Sequence, residues 1–349
     1  MSSFPDFFGN SNIVSTLVHA IEQNRIPQTI LLSGPEGVGK ATLARRFAAQ
    51  LLGDPAKIER DDLSLSTNLE LIEQRDKWTS EKRAEDPLFF SSHPDFVTFP
   101  PDGPLRQITI QQMRLLRERA RLKPLRGSHR VFLIDHLDRA NEQAANSLLK
   151  VLEEPPDHLV IIATAENLHD LLPTIRSRSI IFQMGALSQS EMTDFAHARG
   201  LSDAQIRIAL AGGSPGLAAS LDLEQFRKRR ALILAAFECA AGLTPFATWV
   251  QQSESFVSSK SEKLDSYLKL TYGVLEDILT ALYRKRADRN SDIQQRIAAI
   301  AKAVNFSWIE RATRCVDELV LMVRRNIQKT AALDAMIINL RNPQQRLIT

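Results

Sequence analysis

Apolar positions alternate between two rhythms in the first half of the chain and settle into one in the second. Residues 11–24 place Ile13, Leu17, Ala20 and Ile21 on one face at helical spacing, with Ser11 or Asn12 able to cap the start. Thr29 to Ser33 is a short apolar run ending at glycine and predicts a buried strand. A helix follows from Lys40 to about Leu52. Residues 54–92 are polar and irregular, with short helical pieces at most. Phe96 to Phe99 reads as a strand. Thr109 starts a helix that carries Ile110, Met113 and Leu116 inward, with Gln112 closing a capping box. Val131 to Asp135, Leu159 to Thr164 and Ser179 to Phe182 supply three more strands, and a helix runs from Glu142 to Leu152 before Pro155-Pro156 stops it. Strands alternating with helices predict a parallel sheet covered on both faces.

Beyond about residue 184 the strand signal disappears. Short helices broken by Gly200 and by Gly212-Gly213-Ser214-Pro215-Gly216 occupy 187–222, and the remainder is helical throughout. The expected organisation is an α/β domain over 1–184, a small helical domain over 185–222 and an all-α domain over 223–349.

Composition changes this picture little. The 349 residues carry 44 Lys and Arg against 41 Asp and Glu, a net charge of +3, which permits contact with nucleic acid without demanding it. Two cysteines, Cys239 and Cys315, are too few for a four-thiolate zinc site and fit a reducing cytoplasm. The first residues lack the basic-then-apolar pattern of a signal peptide, and no apolar run reaches the ~20 residues that span a bilayer.

The chemistry concentrates in Gly34-Pro35-Glu36-Gly37-Val38-Gly39-Lys40-Ala41-Thr42, a P-loop between a strand and a helix. Glycines let backbone amides wrap a phosphate, the helix start adds positive charge, and Lys40 can reach the β- and γ-phosphates. The residue after Lys40 should carry a hydroxyl for Mg²⁺, and it is Ala41. Thr42 is turned about 100° away around the helix. Arg130-Val131-Phe132-Leu133-Ile134-Asp135 has the form of a Walker B strand whose acid helps hold a metal. The following residue, a glutamate in hydrolytic sites, is His136.

Two further motifs, Asn146 to Pro156 (NSLLKVLEEPP) and Leu172 to Ser179 (LPTIRSRS), complete a constellation. In the order P-loop, Walker B, LLKVLEEPP, IIAT, LPTIRSRS, the chain resembles the bacterial clamp-loader AAA+ subunits, clearly over about residues 5–222. The likeness is weaker beyond, where Asn326 to Leu340 resembles the last collar helix. The resemblance implies an AAA+ P-loop domain with a five-stranded parallel sheet, a helical lid and a helical collar. It places Arg178 at the arginine finger that reaches a neighbour's nucleotide, and Thr164 at the sensor-1 position. ATP is the implied cofactor, bound through Gly34, Gly37, Gly39, Lys40, Ala41, Thr42, Asp135 and Thr164, with Mg²⁺ held weakly or not at all. The zinc module of many relatives is excluded, because residues 54–130 contain no cysteine. A sensor-2 arginine is missing too, since Gly213-Ser214 is followed by Pro215-Gly216. Three lapses (Ala41, His136, Gly216) weaken one function.

The resemblance therefore implies a subunit of the polymerase III holoenzyme that helps load the sliding clamp onto primed DNA during replication, with little or no hydrolysis of its own. The alternative is an ATP-hydrolysing gamma/tau-type subunit. The implied partners are other clamp-loader subunits of gamma/tau and delta type, the sliding clamp, and primer–template DNA through the complex; no membrane is expected. His93-Pro94-Asp95 reads as a structural turn rather than a metal site. The basic runs Arg227-Lys228-Arg229-Arg230 and Arg284-Lys285-Arg286 read as solvated helix faces before they read as DNA contacts.

Overall fold

The structure, a computed structural model, describes residues 4, 6–257, 264–283, 291–323 and 329–341. The chain divides into two compact units, residues 1–204 with 211–219, and residues 205–210 with 220–349.

In the first unit α1 (Ser11–Glu22) and β1 (Thr29–Ser33) lead to α2 (Lys40–Leu52). Three short helices follow in the irregular stretch, α3 (Pro55–Glu59), α4 (Ser66–Arg75) and α5 (Ser80–Glu85). Next come β2 (Phe96–Phe99), α6 (Ile110–Ala120), β3 (Arg130–Ile134), α7 (Glu142–Glu153), β4 (Leu159–Ala165), α8 (Pro173–Arg176) and β5 (Ile180–Gln183). The helix α1 is not capped by Ser11 or Asn12. Its N-cap is Asn10 in the left-handed region at φ 51°, which asparagine tolerates, and the Asn10 side chain bonds elsewhere.

All five strands are parallel, in the order β2-β3-β4-β1-β5. Alternation along each strand builds two cores. Leu31, Phe132, Ile134, Ile161 and Ala163 face α6 and α7, and Ile30, Leu32, Leu133, Val160 and Ile162 face α1 and α2. The fifth strand departs from this pattern. It lies at the sheet edge, with Ile180 51% and Ile181 37% exposed. The capping box at Thr109 and Gln112 forms as expected, and the Gln112 amide also donates to the Leu88 and Pro100 carbonyls.

The segment between α2 and β2, hardest to read from periodicity, is held by buried polar contacts, with Arg45 bonded to Glu59 and Asp62 in its first part and Arg75 gathering the second. The Arg75 guanidinium donates to Asp102 Oδ1 at 3.1 Å and Oδ2 at 2.7 Å, donates to the Asp86 carbonyl, and lies 4.5 Å from the Trp78 ring centroid. His93 is fully buried, and its Nδ1 accepts the Asp95 amide at 3.1 Å. The Asp95 carboxylate in turn accepts the amides of Leu125 and Arg126. Burial holds the His93 pKa below the ordinary imidazole value of about 6.5, against the pull of Asp95 and Asp54. Because the folded-state pKa lies below the unfolded one, the unfolded chain takes up the proton first. The His93 contribution to stability is complete above about pH 6.5 and is lost as pH falls below it. His129, also held low by burial and then by His158, adds to the same slope. Urea midpoints at pH 7.5 and 5.5 are expected to differ less for His93→Gln than for the parent chain; equal slopes would refute this role.

After the sheet come α9 (Gln189–Ala198), α10 (Ala204–Ala211) and α11 (Pro215–Ser220). Helices α9 and α11 cluster with the sheet, whereas residues 205–210 of α10 cluster with the second unit. That unit holds α12 (Leu223–Ala240), α13 (Phe246–Val257), α14 (Leu264–Leu282), α15 (Gln294–Ala303), α16 (Phe306–Val323) and α17 (Lys329–Arg341). Its core joins Phe237 and Trp308 edge to face at 5.9 Å, and the buried Trp249 Nε1 donates to Asp334 Oδ1 at 2.6 Å. Two of the four residues of the 227–230 run are paired with acids within the unit and a third is hydrogen-bonded there. Lys228 pairs with Glu224, Arg229 donates to Gln225, and the buried Arg230 pairs with Asp292. Arg284-Lys285-Arg286, and residues 326–328 of the expected last helix, lie outside the described residues. Among the described residues no helix is long and apolar enough to cross a membrane.

Candidate functional site

Parallel strands present their carboxyl ends to one side of a sheet, and ligands of such sheets sit there, where the strand order reverses. The carboxyl ends of β1, β3 and β4 bring the P-loop, Asp135 and Thr164 to that edge. The loop conformation is one that glycine alone can take. Gly34 has φ +149°, and a Cβ there would lie 2.2 Å from the Met184 carbonyl oxygen; Gly37 and Gly39 are left-handed at +74° and +97°. Lys40 opens α2 and is 6% exposed. Its Nζ donates to the Gly34 and Pro35 carbonyls at 2.7 and 2.8 Å, which folds the ammonium over the loop. Burial lowers the Lys40 pKa, opposed by Glu166, Asp135, Asp138 and Glu36 in that order.

The acidic wall is tightly bonded. Thr164 Oγ1, fully buried, donates to Asp135 Oδ1 at 2.5 Å and accepts the His136 amide at 2.8 Å. One hydroxyl thus aims the carboxylate and fixes the backbone beyond it. His136 sits in the left-handed region at φ 55°, uncommon for a residue other than glycine but better tolerated by histidine than by most. Its Nδ1 is buried, has no hydrogen-bond partner, and lies 3.6 Å from Glu166 Oε1. Two carboxylates not singled out from sequence, Asp138 and Glu166, join this wall. The Glu166 amide donates to Asp138 Oδ2 at 3.0 Å, and Arg139 lies 3.4 Å from Glu166. An acid just past a strand's carboxyl end was the signal that could have flagged Glu166.

These residues fit a polyphosphate, since loop, helix start and Lys40 converge on one place. They fit its magnesium less well, because Ala41 supplies no oxygen and one Asp135 oxygen is engaged by Thr164. Among the described residues no cluster of three His, Cys, Asp or Glu side chains could hold a metal ion by itself.

Arg178 is elsewhere. It precedes β5, whose register pairs Ile180 with Ile30 and Gln183 with Ser33, so it lies at the amino end of the sheet. The P-loop begins at the carboxyl end of β1, about 20 Å away at ~3.3 Å per strand residue. Arg178 borders an open cleft of about 440 Å³ with Glu153, Pro155 and Gln28. Its guanidinium donates to Glu153 Oε1 and to the Thr174 carbonyl, both at 3.2 Å. The LLKVLEEPP and LPTIRSRS motifs therefore meet across this cleft, and the arginine side chain remains 36% exposed.

Comparison with known proteins bears on the family of the chain. The family model described as "DNA polymerase III, delta subunit" matches residues 9–188. The DNA polymerase III subunit delta′ of Pseudomonas aeruginosa is 32% identical over 213 residues, 58% of each chain. The subunit gamma/tau of Mycobacterium tuberculosis H37Rv is 29% identical over 188 residues, 51% of this chain and 28% of that one. The matches thus span only part of these curated relatives. A gamma-subunit-related protein of Thermotoga maritima, 16% identical, covers 94% of this chain and 98% of its own with a TM-score of 0.46, too low to bear on function.

Proposed function

Since the chain belongs to the DNA polymerase III delta-subunit family of clamp-loader AAA+ proteins, we propose that it is a delta-prime-type subunit that lends Arg178 to a neighbouring subunit's ATP site. The observation that carries this reading is the position of Arg178. It is exposed, and it stands at the end of the sheet opposite its own P-loop, out of reach of any nucleotide bound there. A cation so placed serves a second subunit or none.

In the assembled ring the guanidinium stabilises charge on the neighbour's γ-phosphate as the terminal bond breaks. Its partners are gamma/tau-type and delta-type subunits, and the complex places the sliding clamp on primer–template DNA. Residues 185–222 act as the lid and 223–349 as the collar. At this chain's own site ATP supplies a triphosphate for the loop amides and Lys40 to hold. Thr164 orients Asp135, and His136 occupies the place of the water-polarising carboxylate. With no hydroxyl at Ala41 and a glycine at 216, the site binds without efficient turnover.

The test is a titration of the isolated full chain with ATP, with and without Mg²⁺. Any binding is expected to change less than about twofold on adding Mg²⁺ and to be lost with Lys40→Ala, with turnover at background. Steady turnover abolished by Lys40→Ala would sink this reading. One observation favours the second reading, an ATP-hydrolysing gamma/tau-type subunit: Glu166 lies beside His136 and could polarise water in its stead. That reading requires Glu166→Gln to remove a measurable turnover of the isolated chain.

A further inference from the structure

The glycine where hydrolytic relatives place a sensor arginine is more than a missing side chain. Ser214, 4% exposed, donates its Oγ to the Glu36 carbonyl at 2.9 Å and accepts the Leu217 amide at 3.3 Å. The Gly216 amide donates to the Gly37 carbonyl at 2.8 Å. The first turn of α11 thus sits directly on the P-loop. The approach is so close that a Cβ at 216 would lie 2.9 Å from Gly37 O and 3.0 Å from Gly37 Cα, and a Cβ at 37 would lie 2.3 Å from Ser214 Oγ. Gly216 is not in the left-handed region, so space, not backbone conformation, demands a glycine there.

A second fastening lies in the chain entering α1 and the chain entering α9. The Asn10 side-chain amide brackets Gly185, accepting its N–H at 2.9 Å and donating to its carbonyl at 3.2 Å. Phe8 packs edge-on against Phe195 of α9 with centroids 5.6 Å apart. The Leu187 amide donates to the Gly213 carbonyl at 2.8 Å, which links the two fastenings.

We propose that α11 is a permanent latch that keeps the lid helices α9 and α11 closed on the P-loop without nucleotide. The seat bonds use loop carbonyls, whereas phosphate is held by loop amides, so the closed state does not depend on a ligand and does not require one to leave. A side chain at position 216, an arginine included, is incompatible with this seat. The lost sensor and the latched lid are therefore one structural choice. The latch does not depend on whether Arg178 acts in trans.

Hydrogen exchange of the full-length chain without nucleotide tests this. Amides in the first turn of a helix have no intrahelical partner, so protection at Gly216 reports the seat and not the helix. Gly216 is expected to exchange roughly 100-fold or more below the unstructured rate. Gly216→Ala, which favours helix formation in itself, is expected to raise exchange at position 216 at least about tenfold, and Ser214→Ala about fivefold to tenfold. Little protection at Gly216 in the parent chain would overturn the latch, as would unchanged exchange in both variants. Neither readout involves a neighbouring subunit, so it stands or falls apart from the arginine's role.

Discussion

A clamp-loader complex assembled with Arg178→Ala in this subunit is expected to lose about 10³-fold or more of the ATP turnover at the adjoining site, with assembly intact. Fingers of this kind contribute ~10³–10⁵ in rate, and 10³-fold corresponds to about 4 kcal/mol of barrier. Assembly should survive because Arg178 supports little in its own unit. Its contacts are an exposed ion pair with Glu153 and one carbonyl, and pairs of that kind contribute ~0–1 kcal/mol. The weak tether suits the proposed role, since a guanidinium that is to swing towards a partner's phosphate cannot be deeply bonded at home. Glu153→Ala is therefore expected to leave turnover unchanged or slightly raised. DNA-stimulated turnover of complexes purified to equal stoichiometry gives the answer, and parental rates with Arg178→Ala would end the proposal.

The second large effect is on folding. Arg75→Ala is expected to destabilise the first unit by about 3–5 kcal/mol, because it strands the Asp102 carboxylate, 5% exposed, without its cation. In a unit of this size that lowers the melting midpoint by roughly 6–20 °C, at ~2–4 °C per kcal/mol. The double variant Arg75→Met, Asp102→Leu removes both charges and should recover most of the loss, since an apolar pair of similar volume often replaces a buried ion pair at little cost. Thermal melts of the three proteins decide the matter. A single variant within about 1 kcal/mol of the parent would show that the irregular segment is held by something else, such as the Lys82–Trp78 stack or the Arg106–Asp76 pair.

Much of the site was legible without coordinates, and the reason is locality. A buried strand, a glycine loop and a helix start lie within fourteen consecutive residues, Thr29 to Thr42, so their order alone dictates a phosphate cradle. The Walker B strand ending in Asp135 is likewise contiguous. Where local signals competed, the reading was less sharp. The N-cap is Asn10 instead of Ser11 or Asn12, and it makes no side-chain cap because its side chain is bonded to Gly185. The stretch over 54–92 gave no period, because much of its order comes from buried polar contacts, those of Arg75 with Asp102 and of Arg45 with Glu59 and Asp62 among them, rather than from one apolar face.

The α/β character of the first half, the helical second half, the phosphate cradle, and the lack of a hydroxyl at 41 and of a side chain at 216 all follow from the order of residues alone. What those residues face is set by folding in three dimensions. Folding joined Thr164 to Asp135 across 29 positions, Arg178 to Glu153 across 25, and Ser214 to Glu36 across 178. The first two of those distances are closed by parallel crossovers, whose strand order and register are set by how two cores pack against opposite faces of one sheet, and the third by the seating of α11 on the loop after β1. A hydrophobic period records which face a side chain takes; it carries no information about which strand comes to lie alongside.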